Sequence, residues 1–340
     1  MNKIKLKVPY IILLGEEENP SYAKTGAGLV QWRPDLVVGQ IRFSDSTVDL
    51  GVPDMTIEEA VENGVGSLII GVAPIGGAVP DTWWDVIAEA ASAGLDIVNG
   101  LHIKLKDFPA IVKAAGKSNA QLIDIRVPPT NLPVGNGIKR SGKRLLTVGT
   151  DCASGKKYTA LAIDQAMRKE GMNSTFRATG QTGIMIAGEG IPLDAVIADF
   201  ISGAAELISP NNDDDHWDII EGQGSLSHPG YGGVSLGLLY GSQADAFVVC
   251  HDAMRKFVVG AEHYLLLSIK ESIDQNILLG QRTNPNISCV GISVNTSGLT
   301  SDARKQYLEN LAKETGLPCV DSLIDGCDAI VQYIKKKFNE

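Results

Sequence analysis

The chain has 340 residues, enough for one large or two ordinary domains that each bury a core, and two is the expectation. Its 40 acidic against 30 basic residues give a formal charge of −10, which opposes broad affinity for nucleic acid or an anionic membrane and leaves room for a small anion held locally. Five cysteines, an odd number with no CxxC pair, suit a reducing compartment, so a cytoplasmic protein is expected.

In chain order, MNKIKLKVPYIILLG places a short apolar run after lysines, with charge at Glu16 to Glu18 and no small-residue cleavage site, so it reads as a first strand and not as a signal peptide. No uninterrupted apolar run reaches the about 18 residues that a membrane span needs. The strand-length runs DLVVGQI, SLIIGVA, LDIVNGL and AQLIDIRV follow, with TIEEAVENG and DTWWDVIAEAASAG between them as helices closed by glycine. Trp83 and Trp84 in the second helix are expected to pack. The alternation predicts a largely parallel α/β sheet over 1–127 and resembles a Rossmann-type unit. From Arg126 to Lys143 the text RVPPTNLPVGNGIKRSGK has no apolar period, which predicts a linker at 128–142. A second α/β series over 143–340 then opens with RLLTVGT and KKYTALAIDQAMRKEG. The acidic run NNDDDH at 211–216 reads as a solvated loop.

Between that strand and that helix stands VGTDCASGKKYTAL, from Val148 to Leu161. Gly149, Thr150, Asp151, Ser154, Gly155, Lys156 and Lys157 form a loop in which main-chain amides, a helix N-terminus and the Lys156 ammonium converge on one anion. Five residues separate the two glycines, one more than in the common phosphate loop, and Lys157 stands where a magnesium-dependent loop carries a hydroxyl. Magnesium requires near-octahedral oxygen ligands, whereas an ammonium neutralises phosphate directly. The loop therefore suits a phosphate that arrives without a metal, such as the pyrophosphate of coenzyme A, and no metal is expected. Thr150, Ser154 and Thr159 are the hydroxyls that would restore magnesium in the alternative reading.

GTDCASGKK, with EGQG at 221–224, resembles the loop and third-strand segment of dethiobiotin-synthetase-like P-loop proteins. Together with FRATGQTG (176–183), GIPLDAVIADFISGAAE (190–206), EGQGSLSHPGY (221–231), GLH (100–102) and DIR (124–126), it identifies the chain as a member of the two-domain P-loop family that includes D-glutamate N-acetyltransferase. The resemblance covers nearly the whole chain. It implies an α/β protein of two domains, N-terminal Rossmann-like and C-terminal P-loop NTPase-like, both with mainly parallel sheets. It further implies an acyltransferase that moves acetyl from acetyl-coenzyme A to the amine of D-glutamate; the alternative is a Mg-ATP-dependent kinase or ligase of the dethiobiotin-synthetase type. A homo-oligomer is expected because most soluble oligomers are built from identical chains.

An amine attacks a thioester only as the free base, so a proton acceptor is needed. Glu221 and His228, after the strand WDIIEG, are the first candidates; His251, Asp252 and Glu189 follow. A dicarboxylate needs cationic hosts, and Arg177 and Arg255 offer planar forks unless internal ion pairs claim them. Thr179, Gln181 and Thr182 read as a polar, flexible run that orients ligand atoms. Cys152, at the helix N-terminus, invites a covalent acyl-enzyme but has no histidine near it in the sequence. His102 and Arg126 read as structural.

Overall fold

The computed structural model describes residues 4–20, 22–74, 77 and 79–339. The chain divides into two compact units, one running up to Pro128 and including Gln181–Pro192, the other made of Pro129–Gly180 and Leu193–Glu340.

In the first unit, β1 (Tyr10–Gly15), α1 (Lys24–Trp32), β2 (Val37–Arg42), α2 (Ile57–Glu62), β3 (Ser67–Ile70), α3 (Thr82–Ser92), β4 (Asp96–Asn99), α4 (Pro109–Ser118) and β5 (Leu122–Asp124) build a parallel sheet of order β2-β1-β3-β4-β5. Continuous apolar runs form these strands because helices cover a parallel sheet on both faces, and β1 is buried at every position. A capping box between Thr56 and Glu59 starts α2. Trp83 is buried against Gly15, while Trp84 stacks on Phe108 with ring centroids 3.8 Å apart, as the packing role predicts.

The second unit continues with β6 (Lys143–Gly149), α5 (Lys156–Lys169) and β7 (Ser174–Arg177). The next helix, α6 (Gln181–Ala187), belongs to the first unit, where Gln181 Nε2 donates to Thr25 Oγ1 at 3.3 Å and the Thr25 and Thr182 hydroxyls lie 3.2 Å apart. The second unit then resumes with α7 (Ile201–Ile208), β8 (Trp217–Ile220), α8 (Gly232–Ser242), β9 (Ala246–Asp252), β10 (Phe257–Val258), β11 (Ala261–Leu265), α9 (Ile269–Gly280), β12 (Ser288–Asn295), α10 (Ser301–Thr315), β13 (Cys319–Val320) and α11 (Asp328–Phe338). Its parallel sheet has the order β13-β12-β9-β6-β8-β7, while β10 and β11 form a separate antiparallel pair.

Strand β6 is central, and the chain leaves it first toward β8 and β7 and later toward β9, β12 and β13. The carboxyl end of β6 is therefore a topological switch point, where the loops on either side splay apart and open sheets bind ligands. Arg144, fully buried on this strand, ties the preceding loop down by donating to the carbonyls of Ser141 at 3.0 Å and Pro210 at 2.8 Å. Asp213, Asp214 and Asp215 are exposed, in keeping with a solvated loop. No helix among the described residues is long and apolar enough to cross a membrane.

Candidate active site

The loop from Thr150 to Gly155 joins β6 to α5 at the switch point. Ala153 and Gly155 both adopt positive φ, 50° and 94°, and this local reversal turns the loop back over its own strand. A side chain at Gly149 would meet Lys156 Nζ and Ser154 Oγ, each at 2.8 Å, so only glycine lets the lysine fold inward. Lys156 Nζ donates to the Asp151 carbonyl at 2.7 Å and lies within 3.4 Å of Ser154 Oγ. Burial pulls the pKa of Lys156 below the ordinary lysine value, with the nearby Cys152, Cys250 and Asp151 opposing that shift. Lys157 places its ammonium 4.2 Å from the centre of the Tyr158 ring.

Asp151 is the hub of the loop. Its buried carboxylate accepts from the Cys152 N–H at 2.7 Å, from Arg255 Nη1 at 3.1 Å and from the Val259 N–H at 2.9 Å. Arg255 also donates to the Cys152 carbonyl. The ion-pair alternative for this arginine is the arrangement found: its guanidinium braces the phosphate loop. Arg177 is likewise engaged, with Nε donating to the buried Asp218 carboxylate at 2.7 Å. The two forks expected to meet a dicarboxylate therefore serve carboxylates of their own unit.

Glu221 follows β8, and its Oε2 accepts from the Thr179 N–H at 2.9 Å and the Gly180 N–H at 3.0 Å. Its main-chain carbonyl accepts from Thr179 Oγ1 at 2.7 Å. Burial pushes its pKa up, while the two N–H groups and the Lys157 and Lys156 ammoniums pull the other way. Next in the chain, a Cβ on Gly222 would stand 1.7 Å from the Thr147 carbonyl oxygen and 3.1 Å from Lys156 Cδ, which brings the Glu221 segment against the stem of the loop lysine. Gly222 carries no signal in the sequence beyond its place in EGQG.

His228 differs from expectation. Its Nε2 lies 3.0 Å from the Val259 carbonyl, which can only accept, and its Nδ1 accepts from the Gly230 N–H at 3.0 Å. Both nitrogens are thus taken by main chain, and neither faces a substrate amine. His251 Nδ1 pairs with Thr150 Oγ1 at 2.9 Å, and burial lowers its pKa. Asp252 accepts from the Met254 N–H at 3.0 Å. Thr179 stays beside Glu221, but Gln181 and Thr182, expected in a flexible run, are buried at the start of α6, and Gln181 Oε1 accepts from Arg126 Nε at 2.8 Å. Glu189 follows α6, and His102 lies beside Arg126, which helps lower its pKa after burial.

Cys152 Sγ, a carboxylate oxygen of Asp151 and a ring nitrogen of His228 lie within 4.8 Å of one another, a spacing that a metal could bridge. The donors do not fit one: Asp151 is shared with a guanidinium and two N–H groups, and both imidazole nitrogens are taken by main chain. The same saturation removes His228 as a base for Cys152. The hydroxyls that would restore magnesium each make a hydrogen bond within the unit, and one that donates its proton keeps its oxygen lone pairs. Ser154 Oγ donates to the Asp151 carbonyl at 3.0 Å, Thr150 Oγ1 pairs with His251, and Thr159 Oγ1 donates to Ser293 Oγ at 2.8 Å.

Residues 133–331 match the family model described as the P-loop domain of DUF1611, a domain of unknown function, and residues 42–128 match its Rossmann-like N-terminal domain. A D-glutamate N-acetyltransferase from Pseudoalteromonas sp is 46% identical over 328 residues, which are 96% of this chain and 99% of that protein. A protein of the same name from Tritonibacter scottomollicae is 45% identical over 329 residues, 97% of this chain and 99% of its own. The crystal structure of a DUF1611 family protein from Anabaena variabilis superposes with a TM-score of 0.88 at 34% identity, covering 97% of this chain and all of that one.

Proposed function

The chain belongs to the DUF1611 family, and from that membership we propose that it is an N-acetyltransferase moving an acetyl group onto the amine of D-glutamate, with acetyl-coenzyme A as donor. Near-full-length identity to two enzymes of that name carries the reading. The loop supports the choice of donor. Loop amides and the Lys156 and Lys157 ammoniums offer an anion site, and Lys157 stands where a magnesium-dependent loop carries its hydroxyl. Coenzyme A needs its pyrophosphate held and undergoes no phosphoryl transfer, so a metal-free grip meets its needs.

This assignment changes the role of Glu221. The arm between the pyrophosphate and the thioester sulfur is some four residue-equivalents of chain, about 15 Å when extended. Glu221 lies against the loop lysines, so a thioester at the end of that arm reacts well away from it. Glu221 is then a positioning residue. It pins the Thr179–Gly180 N–H groups and balances the charge of Lys156 and Lys157. Arg177 and Arg255 act at the same remove, through Asp218 and Asp151.

Purified protein mixed with acetyl-coenzyme A and either enantiomer of glutamate tests the reading by thiol release, with MgATP run in parallel. Release with D-glutamate alone, and no ATP consumed, is the expected outcome. ATP turnover without thiol would replace the reading with a kinase or ligase.

A further inference from the structure

The β10–β11 hairpin stands apart from the six-stranded sheet, yet it is fastened to the phosphate loop at its turn. The Val259 N–H donates to Asp151, and the Val259 carbonyl receives His228 Nε2. Arg255, just before β10, bonds the same carboxylate. His228, expected as a proton acceptor, Arg255, expected as a carboxylate host, and Asp151 of the loop are thus spent on holding a hairpin against the loop. Lys256, Glu262 and His263 are exposed on the hairpin, and apolar side chains are exposed beside them. Met254, Phe257, Val259, Tyr264 and Leu265 are all exposed, Leu265 at 71%, within twelve residues. Two strands pairing only with each other are marginal in water, and a cluster of exposed apolar side chains beside a binding loop marks a contact surface.

We propose that the outer face of this hairpin is the wall that receives the pantetheine arm of the acyl donor, beginning with the branched dimethyl segment that follows the pyrophosphate. The proposal rests on the acetyl-coenzyme A reading above. Distance and chemistry both select this half of the coenzyme. From Val259 at the loop to the Phe257–Leu265 pair is two strand positions, about 7 Å, so the hairpin flanks roughly the first half of a 15 Å arm. The dimethyl carbon lies two atoms from a phosphate oxygen and is the most apolar part of the molecule, matching an apolar wall at the edge of an anion site. Both pantetheine amides can also meet the open strand edge, as an added strand would. Asp151, Arg255 and His228 then act as positioning residues through the hairpin.

The test uses Leu265→Asp and, at its cross-strand partner, Phe257→Asp. Leu265→Met serves as the conservative variant and Leu278→Asp, at a 72% exposed site on α9, as the control. Each is assayed with acetyl-coenzyme A and with S-acetyl-4′-phosphopantetheine, which lacks the adenosine half. The Asp variants are expected to raise the donor KM about tenfold for both donors, with kcat and the D-glutamate KM within about twofold, as loss of part of one side chain's burial predicts. Leu265→Met and Leu278→Asp should match the parent. An unchanged donor KM overturns the proposal, and so does a rise confined to acetyl-coenzyme A, which would move the contact to the adenosine. A wild-type sedimentation coefficient that falls to that of a smaller species in Leu265→Asp would assign the face to a second copy instead. Absence of thiol release in the parent protein would be a failure of the parent reading, separate from all of these.

Discussion

The phosphate loop and the hairpin fastened to it are neighbours of opposite construction. In the loop, Thr150, Asp151, Ser154 and Lys156 are polar, buried and bonded to one another or to adjacent main chain. In the hairpin, Phe257, Val259, Tyr264 and Leu265 are apolar and exposed. A buried polar group costs free energy unless it is paired, so the loop must fix its geometry before any ligand arrives. An exposed apolar group gains by being covered, so the hairpin has its largest favourable term still to make. The loop is a preformed grip and the hairpin a surface whose contact is completed by something else.

The largest expected effect strikes the loop's foundation. Gly222→Ala puts a methyl group 1.7 Å from the Thr147 carbonyl oxygen, so strand β8 must part from β6 at the switch point, at a cost of about 3 kcal/mol. Gly203→Ala, where a Cβ would stand 1.9 Å from the Pro133 carbonyl oxygen, should cost a similar amount. Denaturant melts should show both losses, while only Gly222→Ala should also raise the donor KM. If both variants raised it equally, the loop would have no privileged dependence on its strand.

Next in size is the grip. Lys156→Ala removes a charged hydrogen-bond donor worth about 1.5–3 kcal/mol, so the donor KM should rise roughly 10- to 150-fold with little change in the D-glutamate KM. Because burial lowers the Lys156 pKa, the ammonium is present below that lowered value and lost above it. Donor kcat/KM in the parent should therefore decline at a pH below that of an ordinary lysine, and the decline should vanish in Lys156→Ala. A donor KM that does not move with this substitution would leave the loop without the coenzyme.

These contrasts also explain what could be read in advance. The strands YIILLG and RLLTVGT and the loop GTDCASGKK were legible because each imposes a narrow residue requirement: continuous burial for a central strand, small residues for a tight loop, an ammonium for an anion. Helix α8, GGVSLGLLYGS, was not singled out because its glycines and apolar residues show almost no amphipathic face. Helix α6 is not legible because FRATGQTG predicts a polar, flexible run, and packing by Thr25 and Arg126 overrides that reading. His228, Arg177 and Arg255 carry the residue types of reactants, and sequence does not say whether a histidine's nitrogens or an arginine's fork will meet substrate or main chain. Their partners, Val259, Asp218 and Asp151, lie 31, 41 and 104 residues away along the chain. The exposed hairpin left no pattern at all, since two short strands with a wide register shift have no alternation to detect.

The smallest expected effect tests the positioning role of Glu221. Lys157 is the nearer in influence of the two ammoniums that favour its ionised form, so Lys157→Gln should raise the already elevated Glu221 pKa. The ionised carboxylate holds the Thr179 and Gly180 N–H groups more strongly than the protonated acid would, and that state is lost as pH falls through the folded pKa. In Lys157→Gln the acid-side loss of donor kcat/KM should therefore begin at a higher pH than in the parent. Glu221→Gln should flatten that limb and raise the donor KM, because an amide oxygen accepts from N–H groups more weakly than a carboxylate does. The kcat should stay near that of the parent. A Glu221→Gln enzyme with normal donor KM and almost no kcat would make Glu221 the proton acceptor, bring the thioester back beside the lysines, and require the arm to fold over the loop instead of lying along the hairpin.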